Sequence, residues 1–225
     1  MNKEPNGEGM KSSFEYDPGK HTTVSIVVAI LGASGSGKSH LVASLAPETL
    51  GVTVAVLRVD DYYRDLTHLS FEDRDAINFD HPDAIEFERL VDDLASLRSG
   101  EKVQTPVYDF TQHTRSALSQ SVPPADIILL EGVLAMSDPA TRELVDYTIF
   151  VDTPLELCLA RRIERDALQR GRSEASVRDF WETRAEPMFA QFVAPWRPQA
   201  DLVIDGSQTI DDELSRVGDW LQARM

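Results

Sequence analysis

Eight residues, Gly32-Ala33-Ser34-Gly35-Ser36-Gly37-Lys38-Ser39, follow an apolar run from Val24 to Leu31 and satisfy the spacing G-x-x-x-x-G-K-[ST]. A polyphosphate chain is gripped by converging backbone N–H groups, so its loop must curl tightly with no Cβ in the way, which Gly32, Gly35 and Gly37 permit. The anion then rests on a helix N-terminus, where unpaired N–H groups and the helix dipole both favour negative charge. In that geometry Lys38 reaches the β- and γ-phosphates and the Ser39 hydroxyl becomes a Mg²⁺ ligand. Ala33, Ser34, Ser36 and His40 complete the stretch expected to touch the donor.

Other residues stand where chemistry could be done. Asp60 and Asp61 close a second, valine-rich run (Val52 to Val59), and Glu131 closes a third (Ile127 to Leu130). Ligands collect beyond the carboxyl ends of strands in open α/β sheets, which makes these acids site candidates against the plainer reading of solvated turns. Glu131 falls where such proteins place a carboxylate that serves the Mg²⁺ shell or orients water. Arg161, Arg162, Arg165, Arg170 and Arg172 crowd into twelve residues with only Glu164 and Asp166 among them. Any one could sit on a solvated helix face, but as a group they supply the positive cluster that a chain of net charge -16 needs to hold a nucleotide triphosphate. His113 gains interest only from its company, Tyr108 and Arg115.

The elements that must position these residues follow from pattern. Residues 1–22 are polar and aperiodic and are expected to form a disordered tail before one domain of residues 23–225. A helix after Ser39 should be ended with help from Pro47. Leu66 to Phe79 is polar and irregular, and Pro82 opens a helix running to Leu97. Val103 to Phe110 with Thr111 to Arg115 suggests a hairpin or edge strand projecting from the main sheet, and Ser116 to Asp126 is expected to be loop. A short helix (Ala140 to Leu144) and a strand (Tyr147 to Val151) come next. Thr153-Pro154-Leu155-Glu156 predicts a capping box opening a helix to Gln169, with a lid at about residues 160–175. Ser173 to Ala190 is expected to be one further helix, followed by a strand, Leu202 to Ile204, and a helix from about Asp211 to Gln222. Strands alternating with helices imply an α/β fold, a mostly parallel sheet flanked by helices with a β-hairpin and an Arg-rich helical lid added, and the glycine motif gives it a P-loop.

Composition narrows the function. A net charge of -16 argues against broad binding to nucleic acid or anionic membrane. Cys158 is the single cysteine, so no internal disulfide can form, and a buried structural role in a reducing, cytoplasmic setting is expected. No window approaches 18 apolar residues, and no signal-peptide centre is visible. There is no guanine-reading N-K-x-D string, and the third strand ends in Glu alone rather than an Asp-Glu pair. A small-molecule kinase needs a triphosphate cradle, Mg²⁺ ligands, a carboxylate to deprotonate the acceptor hydroxyl and arginines to neutralise developing charge, and the chain offers a candidate for each.

A set of strings in order carries a resemblance: Tyr62-Tyr63-Arg64-Asp65, His68-Leu69-Ser70, Asn78-Phe79-Asp80-His81-Pro82-Asp83-Ala84, Pro106-Val107-Tyr108-Asp109-Phe110, His113-Thr114-Arg115, Leu130-Glu131-Gly132, Phe150-Val151-Asp152-Thr153-Pro154, Ala160 to Asp166, Arg170-Gly171-Arg172 and Pro187-Met188-Phe189. From Val24 to Ile204 the chain resembles the uridine kinase (uridine-cytidine kinase) family. The resemblance implies phosphorylation of the 5′-hydroxyl of uridine or cytidine by ATP or GTP, as in pyrimidine salvage, and a homotetramer. It implies Asp60 as the base, surrounding Mg²⁺ with Ser39 and Glu131. Tyr63 and Asp80 would hold the nucleoside, Asp80 at the ribose hydroxyls; Tyr108 and His113 would read the pyrimidine, with Arg172 beside them, and Arg162 and Arg165 would clamp phosphates. The chain departs from the family pattern at Phe180, usually a glutamine near the nucleoside, at Asp205-Gly206, usually Pro-Arg-Gly, at His40, often Thr or Ser, and at Ala117 to Ser119. Another hydroxylated acceptor (pantothenate, a sugar phosphate or another nucleoside) and a nucleotide-binding regulator without turnover stay open at this point. A phosphorylated sugar would need further basic residues near the hairpin, where only Arg115 is evident.

Overall fold

The computed structural model describes residues 25–45 and 50–225. The expected tail and the stop at Pro47 lie outside the described residues. In chain order the elements are β1 (Ile26–Leu31), α1 (Lys38–Ser44), β2 (Val54–Arg58), α2 (Phe71–Asp75), α3 (Phe87–Arg98), β3 (Val103–Asp109), β4 (Thr114–Val122), β5 (Ile127–Glu131), α4 (Pro139–Leu144), β6 (Tyr147–Asp152), α5 (Leu155–Arg170), α6 (Glu174–Phe180), β7 (Leu202–Asp205) and α7 (Ile210–Gln222).

Five strands form a parallel sheet in the order β2-β5-β1-β6-β7. Their continuous apolar sequences suit burial on both faces, and alternate residues serve opposite layers. Val27, Ala29, Leu31, Ile128 and Leu130 pack with Leu90, Leu94 and Leu97 of α3. Val28, Ile30, Ile127 and Leu129 pack with Leu41 and Val42 of α1 and with Val217 and Leu221 of α7. Truncating a wholly buried residue such as Leu94 to alanine removes about 2–5 kcal/mol of stability.

Among the described residues no helix is long and apolar enough to cross a membrane. The hairpin is a separate antiparallel sheet of β3 and β4, and its second strand runs through residues expected to be loop. Residues Ala117 to Ser121 are exposed on both faces of the strand, so they show none of the alternation that marks a half-buried one. Three more expectations are corrected. Pro82 opens only a 3₁₀ turn (Pro82–Ala84), because Ile85 and Glu86 turn extended or irregular before α3 begins. Thr153 does not cap α5: its hydroxyl donates to the Ser36 carbonyl at 2.9 Å, and Pro154 takes the cap position. The helix expected from Ser173 to Ala190 is interrupted by two π turns, Trp181–Ala185 and Phe189–Val193, before a 3₁₀ segment, Ala194–Gln199.

Candidate active site

Three adjacent strand ends converge. Glu131 lies opposite Ile30 of β1 and Arg58 of β2, so the glycine loop, Asp60 and Glu131 leave the sheet side by side. Asp60 rides a 3₁₀ turn, Val59–Tyr62, held from beneath by the buried Tyr62 hydroxyl, which donates to Asp93 at 2.8 Å. Gly132 permits this crossing, since a Cβ there would stand 2.6 Å from Val59 Cβ and displace the turn that carries Asp60.

The loop itself is curled as its glycines suggest. Gly35 has φ 83°, and a Cβ on it would lie 2.3 Å from the Cys158 carbonyl oxygen, so α5 packs directly on the loop. Arg161 straps the same contact, donating from Nη1 to the carbonyls of Ser36 (3.3 Å) and Gly206 (3.0 Å). This arginine, grouped by sequence with the phosphate-binding cluster, is spent on the backbone. Lys38 is buried and folded back, Nζ donating to the carbonyls of Gly32 (3.0 Å) and Ala33 (2.8 Å). Burial holds its ammonium below the usual range, and Glu131 and Asp60 oppose that shift. The Ser36 hydroxyl is buried with no hydrogen-bond partner, an unused donor inside the cradle.

Burial, and then repulsion from Glu131, pushes the Asp60 carboxyl up to about 6, with Lys38 pulling the other way. The Ser39 hydroxyl donates to Glu131 Oε1 at 3.1 Å. Ser39, Asp60 and Glu131 offer oxygen donors only, a hard set that suits Mg²⁺. Among the described residues no group of three or more His, Cys, Asp or Glu side chains forms a metal cage. Mg²⁺ in phosphoryl-transfer sites is commonly held by one or two carboxylates, with its remaining ligands from water and phosphate.

Two pockets meet here. The first is lined by Gly35, Gly37, Lys38, Ser39, His40, Glu131 and Arg161. The second holds Tyr63, Phe79, Asp80, Tyr108, Phe110, His113 and Phe180, with Arg162, Arg170 and Arg172. Ser34, Asp60, Val133 and Arg165 line both. The second pocket is an aromatic box: Tyr63 stands edge-on to Phe79 at 5.2 Å and tilted against Tyr108 at 5.0 Å, and His113 stacks on Phe79 at 5.5 Å and 18°. His113 sits at the hairpin tip with φ 50°, a backbone setting uncommon for a residue with a Cβ. Burial holds its imidazole below the usual 6.5 despite Asp75, 3.5 Å away. Among the described residues, Tyr108 OH and Asp80 Oδ2 find no hydrogen-bond partner inside this box, though both are buried.

The sequence-derived candidates for donor, metal and acceptor therefore line one or other pocket, apart from Gly32, Ala33 and Ser36 of the loop and Asp61, which faces Arg58 and the Tyr108 backbone N–H instead. Arg115 does not: it pairs with Glu86 and donates to the Tyr62 carbonyl at 3.1 Å, tying the hairpin to the Asp60 turn. The positive charge at the hairpin comes instead from Arg170 of α5, over the Phe110 ring at 4.7 Å, and from Arg74 of α2, which donates to the Gln112 carbonyl at 2.7 Å. Sequence reasoning missed Phe79 and Phe110 as walls, although both adjoin named residues. It also missed the way Phe180 carries Arg162, Arg172 and Arg184, each 5.0–5.1 Å from its ring. Aromatic residues beside an arginine cluster were the available signal.

With this geometry in view, comparison with known proteins is informative. Residues 27–212 match the model of the Phosphoribulokinase / Uridine kinase family. The chain is 41% identical to a protein named uridine kinase from Shewanella amazonensis over 183 residues, 80% of this chain and 86% of the relative. It is 37% identical to another from Ligilactobacillus salivarius over 203 residues, 88% and 95% of the two chains. Among solved structures, phosphoribulokinase from Rhodobacter spheroides matches with a TM-score of 0.61 at 17% identity, covering 82% of this chain and 73% of that one, a likeness of fold.

Proposed function

The chain belongs to the Phosphoribulokinase / Uridine kinase family, and from that premise we propose that it is an ATP-dependent kinase that phosphorylates the 5′-hydroxyl of uridine and cytidine. One observation carries this reading: a phosphate-cradling pocket and an aromatic box open onto each other where Asp60 and Arg165 line both. In-line phosphoryl transfer needs little covalent help from a protein, only positioning and charge stabilisation.

The donor's β- and γ-phosphates lie on the loop amides. Lys38 leaves the carbonyls of Gly32 and Ala33 to meet them. Mg²⁺, when bound by Ser39, Asp60 and Glu131, supplies charge neutralisation on the donor phosphates. The nucleobase enters between Tyr108, Phe79 and His113, where flat rings and a ring nitrogen suit a pyrimidine. Asp80, whose carboxylate is engaged only by a long ion pair to Arg162, accepts from the ribose diol, and this fixes the 5′-hydroxyl toward Asp60. Asp60 takes its proton as the general base. Arg162 and Arg165 neutralise charge on the phosphoryl group in flight. Residues 23–225 act as one domain with the α5 segment as its lid, excluding water that would otherwise consume donor. The protein works as a cytoplasmic homo-oligomer, a tetramer by family resemblance, which light scattering checks.

Measuring ATP consumption against uridine, cytidine, purine nucleosides, sugars, sugar phosphates and pantothenate tests the reading. Turnover confined to the pyrimidine nucleosides is expected, with UMP or CMP as product. Turnover with a non-nucleoside alone overturns it.

A further inference from the structure

We propose that Asp166 is a positioning residue for phosphoryl transfer, holding Arg162, Arg165 and Arg170 as one set at the junction of the two pockets. The inference rests on the kinase reading above.

Asp166 lies on α5 and is wholly buried. A carboxylate taken out of water is costly unless charged partners replace its hydration. Here three do. Oδ1 accepts from Arg165 Nε at 2.9 Å, with Arg165 Nη2 at 2.8 Å, and Arg170 Nη1 lies 3.5 Å from the same oxygen. Oδ2 makes no hydrogen bond, its nearest partner being Arg162 Nε at 3.7 Å. One oxygen is therefore saturated and the other is engaged by charge alone.

The asymmetry divides the arginines by mobility. Three guanidinium groups on one helix face repel each other, and the buried carboxylate is what makes their grouping tolerable. Arg165, which lines both pockets, is fixed by two short contacts. Arg162 is held loosely between Asp166 and Asp80, each 3.7 Å away, with its Nε and Nη1 making no hydrogen bond. Its guanidinium rests over Phe180 and Trp181, a surface that supports it without claiming its donors. Arg162 can thus exchange two long contacts for phosphoryl oxygens while Arg165 and Arg170 stay in register. The rival role is a buried ion cluster that merely keeps α5 folded.

Asp166→Asn keeps the shape and one acceptor oxygen while removing the charge. We expect kcat with uridine to fall about 30-fold or more while ADP affinity by calorimetry changes less than about threefold. Adding Asp166→Asn to the Arg162→Gln, Arg165→Gln double variant should lower kcat by less than about threefold more, because the carboxylate acts through those arginines. A structural role predicts the opposite pattern: losses that multiply, or a fall matched by the fraction of unfolded protein, and either overturns the inference. Should Asp166→Asn not fold, Asp166→Glu keeps the charge but shifts it by one methylene. A folded Glu variant with wild-type kcat overturns the proposal; lowered kcat with unchanged ADP affinity supports it. The same variants are read by slow ATP hydrolysis without nucleoside, water being the acceptor. Wild-type protein that hydrolyses ATP yet ignores every nucleoside thus sinks the acceptor reading while the hydrolysis ratio still decides the role of Asp166.

Discussion

The two ends of the main sheet are built on opposite principles. At the amino end, polar side chains close on one another. Thr53 N and Oγ1 both donate to Asp126 at 2.9 and 2.7 Å, and Asp126 N donates back to Thr53 Oγ1. Thr148 and Asp201 repeat the clasp between β6 and the approach to β7, and Asp146 caps Val27 N at 2.8 Å while pairing with Arg98. At the carboxyl end, Ser36, Tyr108, Asp80 and Arg162 keep buried polar atoms without hydrogen bonds. Each such atom costs about 1–3 kcal/mol. The lesson is that this chain stabilises one end and leaves the other unsatisfied, so that a ligand completes it.

The largest break in that comparison is expected from Asp60→Asn, which should lower kcat at least about 10³-fold while sparing ADP affinity, measured by steady-state kinetics and calorimetry. Near-normal kcat would remove Asp60 as the base. Next, His113→Ala should raise KM for uridine about 10- to 100-fold and KM for ATP less than about threefold, which separates the aromatic box from the phosphate cradle. At the opposite end, Asp201→Ala strands two donors of Thr148 and should cost about 2 kcal/mol, roughly 4–8 °C in Tm, with kcat at 25 °C unchanged. Tyr108→Phe sharpens the contrast most directly. Deleting a buried hydroxyl that has no partner should raise Tm by about 1–3 °C and raise nucleoside KM several-fold, whereas a hydroxyl satisfied in the free protein would lower Tm.

The smallest effect concerns pH. The His113 imidazole loses its proton below the usual 6.5, so at pH 7 it is neutral and can either accept or donate. Below that value it becomes a donor only, which suits the O4 of uridine and not the amino group of cytidine. KM for both substrates should be flat from pH 7 to 8, and cytidine KM should rise more steeply, by about two- to threefold, as pH falls through the folded pKa. Parallel profiles would exclude His113 as the group facing that edge of the base.

How much of this was legible from the sequence depended on whether a residue's role is set by its neighbours in the chain. The sheet strands declared themselves as β-branched apolar runs, and the glycine loop declared its curl because three glycines in six residues have no other local use. β4 did not, because its middle is solvated on both faces and so shows no period. The arginines are sorted only through the family resemblance, which singles out Arg162 and Arg165. Spacing alone does not show that Arg115 leaves the site for Glu86 and the Tyr62 carbonyl, or that Arg161, while lining the phosphate pocket, spends Nη1 on the carbonyls of Ser36 and Gly206. Asp166 looked like an ordinary i,i+4 acid on a polar helix, and only its complete burial marks it out.

The packing of Cys158 also provides an experimental handle. It is the sole cysteine in the sequence, it is wholly buried, and burial pushes its thiol up to about 11. Thiolate is the reactive form, so alkylating probes will pass it by at neutral pH. Leu168, on the same helix between Arg165 and Arg170, is 80% exposed. A maleimide dye or spin label coupled to Leu168→Cys would therefore report from one known point, with the native thiol left in place, and would test whether α5 moves as donor and nucleoside arrive.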